Sequence, residues 1–210
     1  MSELLETIYE SVREGVKRDT IEHVQKAIDA GIEPGKILND GMIAAMKEVG
    51  RLFEAGEYFV PEMLVAAHAM QGGMETLKPL LVESGVEPVG KIVLGTVKGD
   101  LHDIGKNLVG MMLEGAGFEV QDLGTDVAPE TFVEAIANDV DIVGLSALLT
   151  TTMPAMEATI KAIDEAGLHE KVKIMVGGAP VTPDYAQKVG ADGHAKDASE
   201  AASLAQAFIE

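Results

Sequence analysis

The feature that most constrains the fold is a change of pattern near residue 88 of this 210-residue chain. Beyond it, short runs rich in β-branched residues alternate with helical stretches. The predicted strands are 91–97, 119–124, 141–146, 173–178 and 193–195, and the predicted helices are 104–116, 129–138, 153–166, 183–189 and 199–209. Strict alternation indicates a parallel sheet with helices on both faces and right-handed crossovers. We therefore predict a Rossmann-like (flavodoxin-like) five-stranded parallel sheet.

The preceding residues have a helical pattern. Apolar residues at helical spacing predict a first amphipathic helix over about the first 20 residues, with Leu4, Leu5, Ile8, Val12 and Val16 on one face. Thr20 is the predicted N-cap of a second helix that ends at Gly31. Pro34 opens a third helix, which ends near Gly56, and Pro61 opens a fourth. The expectation is a helical bundle over residues 1–87, a linker at 86–90 and an α/β domain over 88–210.

Composition excludes several classes of function. The net charge of −19 disfavours nucleic acid and anionic membrane surfaces as partners, since phosphate binding needs clustered Lys and Arg. The chain has no cysteine, which removes disulfides and thiolate chemistry and fits a cytoplasmic protein. The N-terminus lacks the pattern of a signal peptide, and no apolar run approaches the roughly 20 residues that span a bilayer.

The unusual residues of the second half follow the ends of predicted strands. These segments are 98–105, 146–152, 177–180 and 193–198. Because ligands of open α/β sheets bind beyond the carboxyl ends of the strands, the four segments predict one site. A phosphate-binding G-x-x-x-x-G-K-[ST] loop and a dinucleotide G-x-G-x-x-G turn are absent from the sequence. The acidic pair of a response regulator does not fit either, because His102 lies between Asp100 and Asp103.

Individually these residues leave two interpretations open. His102 is either a metal ligand oriented by Asp100 or a histidine that caps a helix. Gly177 and Gly178 form either a simple strand-end turn or a bare backbone against which a bulky ligand lies. Ser146 and the threonines at 150–152 are also candidates for capping the following helix. The remaining histidines are not spaced as zinc ligands around His102.

Taken together, three short motifs resemble one family. Asp100-x-His102-x-x-Gly105, then Ser146-x-Leu148, then Gly177-Gly178 resemble the D-x-H-x-x-G, S-x-L and G-G pattern of B12-binding domains. The string VKGDLHDIGKNLVG at 97–110 is similar to the cobalamin-binding module of methionine synthase and to the free-standing corrinoid proteins of methanogens and acetogens. The segment VGRLFEAGEYFVPEM at 49–63 is similar to the helical cap of those proteins.

The resemblance implies a role for each matching position. His102 would be the lower ligand to cobalt in place of the nucleotide base of the cobamide, an arrangement called base-off/His-on. Asp100 would hydrogen-bond His102, and Thr152 stands where the methionine synthase module has the Ser of a relay. The further cofactor contacts would be Gly99, Leu101, Asp103, Gly105, Ser146, Leu148, Thr150, Gly177, Gly178 and Ala198. Phe53, Val60 and Met63 would form the apolar cap over the methyl-bearing face.

The resemblance also implies a function. The chain would be a methyl-carrier corrinoid protein, not catalytic alone, that carries a methyl group on cobalt between two methyltransferases. The partners would be a substrate:corrinoid methyltransferase, a methylcorrinoid:acceptor methyltransferase using tetrahydrofolate or a thiol, and a reductive activating protein. A B12-dependent sensor and the small subunit of an adenosylcobalamin mutase are the alternatives. The sequence does not identify the methyl donor, the lower base of the cobamide or the oligomeric state.

Overall fold

The computed structural model of the chain describes residues 2–136 and 139–209. The chain divides into two compact units. One unit comprises the residues up to Pro88 together with Glu114–Gly117, and the other comprises Val89–Leu113 and the residues from Phe118 onwards.

The first unit is helical, as predicted. It contains α1 (Glu3–Arg13), α2 (Lys17–Asp29), α3 (Pro34–Lys36), a π-helical stretch (Ile37–Ile43), α4 (Ala44–Glu54) and α5 (Val60–Glu83). The apolar faces of these helices supply a core whose fully buried members include Ile8, Val12, Val24, Ile37, Met42, Val49 and Leu77. Pro61 lies in the first turn of α5, where a missing N–H has no cost. This confirms the prediction that Pro61 opens the fourth helix.

Two details at the start of the chain differ from the prediction. Helix α1 ends at Arg13, because Gly15 takes a left-handed conformation at φ 72°. Gly15 N–H donates to the Val12 carbonyl and Val16 N–H to the Ser11 carbonyl, which closes the helix in a Schellman motif. Val16 is consequently outside the helix. The prediction that Thr20 is the N-cap of the second helix is wrong. Thr20 lies inside α2, and its hydroxyl donates to the Val16 carbonyl at 3.1 Å.

The third predicted helix is helical throughout but changes its winding. Its α-helical ends are separated by the seven-residue π-helical stretch, in which each turn takes an additional residue. Gly41 lies in this stretch, and a Cβ atom there would be 3.1 Å from Cγ2 of Ile8. The π-helical stretch therefore packs closely against α1, an arrangement that the spacing of apolar residues did not reveal.

The second unit is the predicted parallel sheet. Its strands are β1 (Lys91–Thr96), β2 (Glu119–Asp122), β3 (Ile142–Ser146), β4 (Lys173–Gly177) and β5 (Gly193–Ala195), in the order β2-β1-β3-β4-β5. Val93, Val143 and Ile174 are register neighbours on the three central strands, and all are fully buried. The strand order is that of flavodoxin-like folds. In these folds the order of strand addition reverses between β1 and β3, and a crevice lies there at the carboxyl ends of the strands.

The helices of this unit follow the predicted positions. They are α6 (Ile104–Gly115), α7 (Pro129–Ile136), α8 (Met153–Glu165), α9 (Pro183–Val189) and α10 (Ala198–Ile209), with a 3-10 turn at His169–Lys171. Residues 137 and 138 of the predicted helix 129–138 lie outside the described residues. Within the described ranges, no helix combines the length and apolar character needed to cross a membrane.

Candidate cofactor site

The loop after β1 brings Asp100 and His102 to the crevice between β1 and β3. Two hydrogen bonds shape this loop: Asp100 N–H donates to the Val97 carbonyl at 3.1 Å, and the buried Thr96 hydroxyl donates to the His102 carbonyl at 2.9 Å. The loop that follows β3, residues 147–152, comes to the same edge because β1 and β3 are parallel neighbours. The predicted meeting of strand-end segments at one edge is therefore confirmed for the loop after β1 and the loop after β3.

Asp100 is the centre of the site and is completely buried. Its Oδ1 accepts hydrogen bonds from the His102 backbone N–H at 3.0 Å and lies 2.7 Å from His102 Nδ1. Its Oδ2 accepts from the Leu148 N–H at 2.8 Å and from the Thr152 hydroxyl at 2.6 Å. Four groups thus surround the carboxylate, and they join the loop after β1 to the loop after β3.

These contacts determine the ionisation of Asp100. Burial by itself raises the pKa of this carboxyl, but hydrogen bonds from Thr152, from the N–H groups of Leu148 and His102, and from the His102 ring lower it by more. The net pKa lies well below the ordinary range for aspartate. Asp100 is therefore an anion at physiological pH and acts only as an acceptor.

An acceptor at Nδ1 selects the tautomer of His102. When one imidazole nitrogen donates its proton to a carboxylate, the lone pair of a neutral ring lies on the other nitrogen. In His102 that atom is Nε2, which has no hydrogen-bond partner among the described residues. The side chain is half-exposed, so Nε2 is accessible to a metal ion from the crevice. This geometry favours the metal-ligand interpretation of His102 over the helix-cap interpretation.

Thr152 stands at the N-cap position of α8 but makes no capping hydrogen bond. Its hydroxyl donates to Asp100 Oδ2 and lies 2.9 Å from the Leu149 carbonyl, and the residue is buried. The capping interpretation is therefore wrong for Thr152, because its hydroxyl points towards the Asp100 carboxylate.

Apolar side chains surround the His102 loop on the surface. Leu101 and Ile104 flank the loop with exposed fractions of 73% and 79%, and Leu148 and Leu149 on the loop after β3 are exposed by 42% and 43%. Exposed apolar side chains grouped on one edge of a sheet mark a binding surface. This surface would suit a ligand with a large apolar face, and the imidazole beside it is of the kind that binds transition metals.

The glycines of the site fall into two classes. A Cβ atom on Gly178, whose φ is 128°, would overlap the Ala147 carbonyl oxygen, and one on Gly177 would lie 2.9 Å from the Ala195 carbonyl oxygen. Contacts within the chain thus account for both glycines. Gly105 is different, because a Cβ atom there would meet nothing within 4 Å. The space beside Gly105 adjoins the His102 loop and fits a bound group.

The remaining predicted contacts have diverse surroundings. Ser146 is partly buried at the end of β3, whereas Thr150 is exposed in the following loop. Gly99 takes a left-handed conformation at φ 83°, and Asp103 is exposed with its carbonyl accepting the Asn107 N–H. Ala198 is buried at the start of α10.

The predicted cap residues lie in the helical unit. Phe53 is partly buried near the end of α4, Val60 is exposed at the start of α5, and Met63 is 2% exposed. Sequence reasoning missed Phe59, the N-cap of α5, whose ring is 64% exposed. The sequence could have indicated this residue. Phe59 comes directly before the helix that Val60 and Pro61 open, so it does not belong to the apolar face that this helix buries.

Two charged residues beside the loop were also missed. Lys106 is buried on α6, where its ammonium donates to Asn107 Oδ1 at 2.6 Å and pairs with Asp122 at the end of β2. Asp126 accepts a hydrogen bond from the Gly99 N–H. Both contacts depend on β1 lying beside β2, which the sequence pattern of either strand alone does not specify.

Comparison with known proteins agrees with this site. Two models of the B12 binding domain match the chain, one over residues 90–203 and the other over residues 4–78. The chain belongs to the B12-binding family. It binds a corrinoid cofactor. Open parallel sheets in general bind ligands beyond the carboxyl ends of their strands, and Asp100 and His102 lie at that edge.

Individual relatives cover almost the whole chain. It is 46% identical to dimethylamine corrinoid protein 1 of Methanosarcina acetivorans, over 92% of each chain. A cobalamin-binding protein from Desulfitobacterium hafniense matches with a TM-score of 0.82 and 33% identity, over 98% of each chain. The methanol:cobalamin methyltransferase complex of Methanosarcina barkeri matches with a TM-score of 0.87 and 33% identity, over 99% of this chain and 80% of that chain.

Proposed function

We propose that this chain carries a methyl group on the cobalt of a corrinoid bound base-off, with His102 as the lower ligand. The observation that supports it most is the half-exposed His102 imidazole, whose Nδ1 lies 2.7 Å from the buried Asp100 carboxylate. When bound, a corrinoid supplies a cobalt ion that takes up and releases a methyl group.

The protein groups have distinct parts in this proposal. His102 would hold the metal through Nε2, while Asp100 accepts a hydrogen bond from Nδ1–H and fixes the orientation of the ring. The anionic Asp100 would keep the His102 ring in this orientation whether or not Nε2 is bound to the metal. Thr152 and the Leu148 N–H keep Asp100 ionised and in place.

Binding of the cofactor periphery would use the other predicted residues. The apolar surface of Leu101, Ile104, Leu148 and Leu149 would contact the corrin ring. The slot for the displaced nucleotide tail would be lined by Ser146, Thr150, Gly177 and Gly178, with further contacts from Gly99, Asp103, Gly105 and Ala198. We propose that residues 1–87 act as the cap domain, with Phe53, Val60 and Met63 as its apolar contacts, and that residues 88–210 form the cofactor domain. Apolar contacts would exclude water from the reactive face.

The partners in this proposal are methyltransferases. One would load the methyl group from its substrate, a second would pass it to tetrahydrofolate or a thiol, and a reductive activating protein would restore the reduced cofactor. The relative named for dimethylamine is 46% identical, whereas the methanol complex is 33% identical. This difference favours a methylamine as the donor, and the relatives' names favour a carrier over a sensor or a mutase subunit.

Cofactor reconstitution tests the proposal directly. The apo-protein is incubated with hydroxocobalamin, desalted, reduced to Co(II), and studied by visible and EPR spectroscopy, alongside His102→Ala. We expect near-stoichiometric cobalt with nitrogen hyperfine splitting from an imidazole, and loss of that splitting in the variant. Splitting from a protein imidazole that persists in His102→Ala would refute the assignment of the lower ligand.

The donor requires a second experiment. The reconstituted, reduced protein is mixed with a dimethylamine-specific or a methanol-specific methyltransferase and the matching substrate, and cobalt methylation is followed by the visible spectrum. We expect methylation with the dimethylamine enzyme at a rate well above that with the methanol enzyme. Faster methylation with the methanol enzyme would reverse the donor assignment, and methylation with neither would contradict the carrier proposal.

A further inference from the structure

Asp126, in the turn between β2 and α7, has an unusual backbone. Its φ is 54°, in the left-handed region that residues with a Cβ atom seldom adopt. Aspartate and asparagine are the side-chain-bearing residues that tolerate this region best, yet a cost remains. A strained conformation persists where surrounding contacts hold it in place, so the contacts of Asp126 show what the strain supports.

Those contacts hold the turn that carries Asp100 and His102. The Asp126 carboxylate accepts a hydrogen bond from the Gly99 N–H at 2.8 Å, and the Asp126 N–H donates to the Asp100 carbonyl at 2.9 Å. Val127, the next residue, forms an isolated parallel bridge with Val97 at the other end of the same turn. Asp126 thus fixes Gly99 by its side chain and Asp100 by its backbone.

The contacts of Asp126 matter because the backbone of the Gly99–Asp100 turn sets where the Asp100 carboxylate and the His102 ring lie. The Asp100 carboxylate is already held by four groups and has no freedom to compensate for a shift of its own main chain. Gly99 also has a positive φ, so its turn and the turn that carries Asp126 meet through two residues in the left-handed region. Without the Asp126 acceptor, the Gly99 N–H loses its protein partner and the turn loses its fixed geometry.

We propose that Asp126 is a positioning residue for the cobalt ligand, which holds the Gly99–Asp100 turn so that His102 Nε2 presents one orientation to the metal. The inference rests on the proposed role of His102. Lys98 also lies 3.1 Å from the Asp126 carboxylate, but both side chains are largely exposed and solvent screens such a pair. The backbone hydrogen bond from Gly99 is therefore the contact that matters.

Four variants separate the contributions. Asp126→Asn keeps an acceptor oxygen and the tolerance for positive φ, whereas Asp126→Gly relieves the backbone strain but removes the acceptor. Asp126→Ala removes both. Lys98→Ala is the matched control, since it removes the exposed ion pair and leaves the Gly99 contact intact.

Two measurements are made on each variant. In the apo-protein, amide hydrogen exchange at Gly99 should become about ten- to a hundredfold faster in the Gly and Ala variants, the size expected for one hydrogen bond to a charged group. It should rise by less in Asp126→Asn, whose amide oxygen accepts a weaker hydrogen bond, and should stay unchanged in Lys98→Ala. Exchange at the buried Leu145 amide of β3 checks that the sheet remains folded. In the reconstituted Co(II) protein, the fraction of cobalt with imidazole nitrogen hyperfine splitting should fall in the same two variants and recover in Asp126→Asn.

The outcomes distinguish this inference from the proposed function. If the wild-type protein itself shows no imidazole splitting, the role of His102 is wrong and the inference falls with it. If the wild-type protein shows the splitting and Asp126→Gly retains it in full, Asp126 does not position the ligand, whatever happens to the exchange at Gly99. An equal loss of splitting in Lys98→Ala would likewise overturn the assignment to the Gly99 contact.

Discussion

Replacing Thr152 by valine tests the central hydrogen bond of the site with little change in shape. The variant keeps the branched side chain in its buried position but removes the hydroxyl that donates to Asp100 Oδ2 at 2.6 Å. A hydrogen bond to a charged group contributes about 1.5–3 kcal/mol, so the unfolding free energy of the sheet unit should fall by about that amount at pH 7. Since one pKa unit equals about 1.4 kcal/mol, the pKa of Asp100 should rise by about one to two units.

The protein contains a matched control for this substitution. Thr159 is also fully buried, but its hydroxyl donates to the neutral Ala155 carbonyl at 2.8 Å within α8. Thr159→Val should therefore cost only about 0.5–1.5 kcal/mol, the range for a bond between neutral groups. Thr152→Ser, which keeps the hydroxyl, should stay within about 1 kcal/mol of wild type.

Native-state hydrogen exchange of the β3 amides is a suitable assay, because it reports the stability of the sheet unit alone. The measurement uses the apo-protein, so that cofactor binding does not contribute. Equal losses in Thr152→Val and Thr159→Val, within about 0.5 kcal/mol, would refute the reasoning. That result would mean that the Thr152 hydroxyl has no special value as a donor to an ionised carboxylate.

Three further substitutions follow from the same geometry. In the wild type, the depressed pKa of Asp100 gives stability that is fully present above an unfolded-state pKa of about 3.9 and is lost as the pH falls towards the folded-state pKa. Urea unfolding should show that Asp100→Asn is less stable at pH 7 but loses about 1 kcal/mol less than wild type between pH 5 and pH 3, and parallel pH profiles would contradict this. Gly105→Ala should stabilise the apo-protein by about 0.5–1 kcal/mol in thermal unfolding, since the Cβ meets nothing, yet weaken cobalamin retention after desalting. Unchanged retention would show that no ligand occupies that space. Gly178→Ala should destabilise the sheet unit by more than about 2 kcal/mol in urea unfolding, because its Cβ overlaps a carbonyl oxygen, and a near-neutral result would contradict the backbone geometry.

The sequence predicted the parts of the structure that depend on periodicity and direction. Alternating strands and helices fixed a parallel sheet, and parallel strands place all their carboxyl ends at one edge. The Asp100–His102 pair could be predicted because two residues in the same loop need no knowledge of distant contacts. The ends of the first two helices were predicted less well. The Schellman motif at Gly15 and the position of Thr20 inside α2 depend on particular hydrogen bonds, which residue propensities for helix ends do not specify.

The rest of the site depends on contacts between separate strands. The Leu148 N–H reaches Asp100 only because β1 and β3 are register neighbours, with Thr96 opposite Ser146. Asp126 reaches Gly99 only because β2 lies on the other side of β1. A single sequence identifies the carboxylate and the imidazole but not the backbone donors that set their charge and position.

The three hydrogen-bonded residues Thr152, Asp100 and His102 differ in how deeply they are buried. Thr152 and Asp100 are buried and join two loops of the sheet, whereas His102 is half-exposed and contributes its ring through a single contact to Asp100. Folding therefore already includes the cost of burying the ionised Asp100, and under the proposed function metal binding would need only the Nε2 atom of His102. If His102 is the ligand, as proposed, this arrangement is preorganisation, because the ring is already oriented in the absence of the cofactor. It follows that substitutions at Asp100 or Thr152 should reduce stability and binding together. His102→Ala should abolish imidazole ligation and cost less stability than Thr152→Val, because water can replace a half-exposed donor to Asp100.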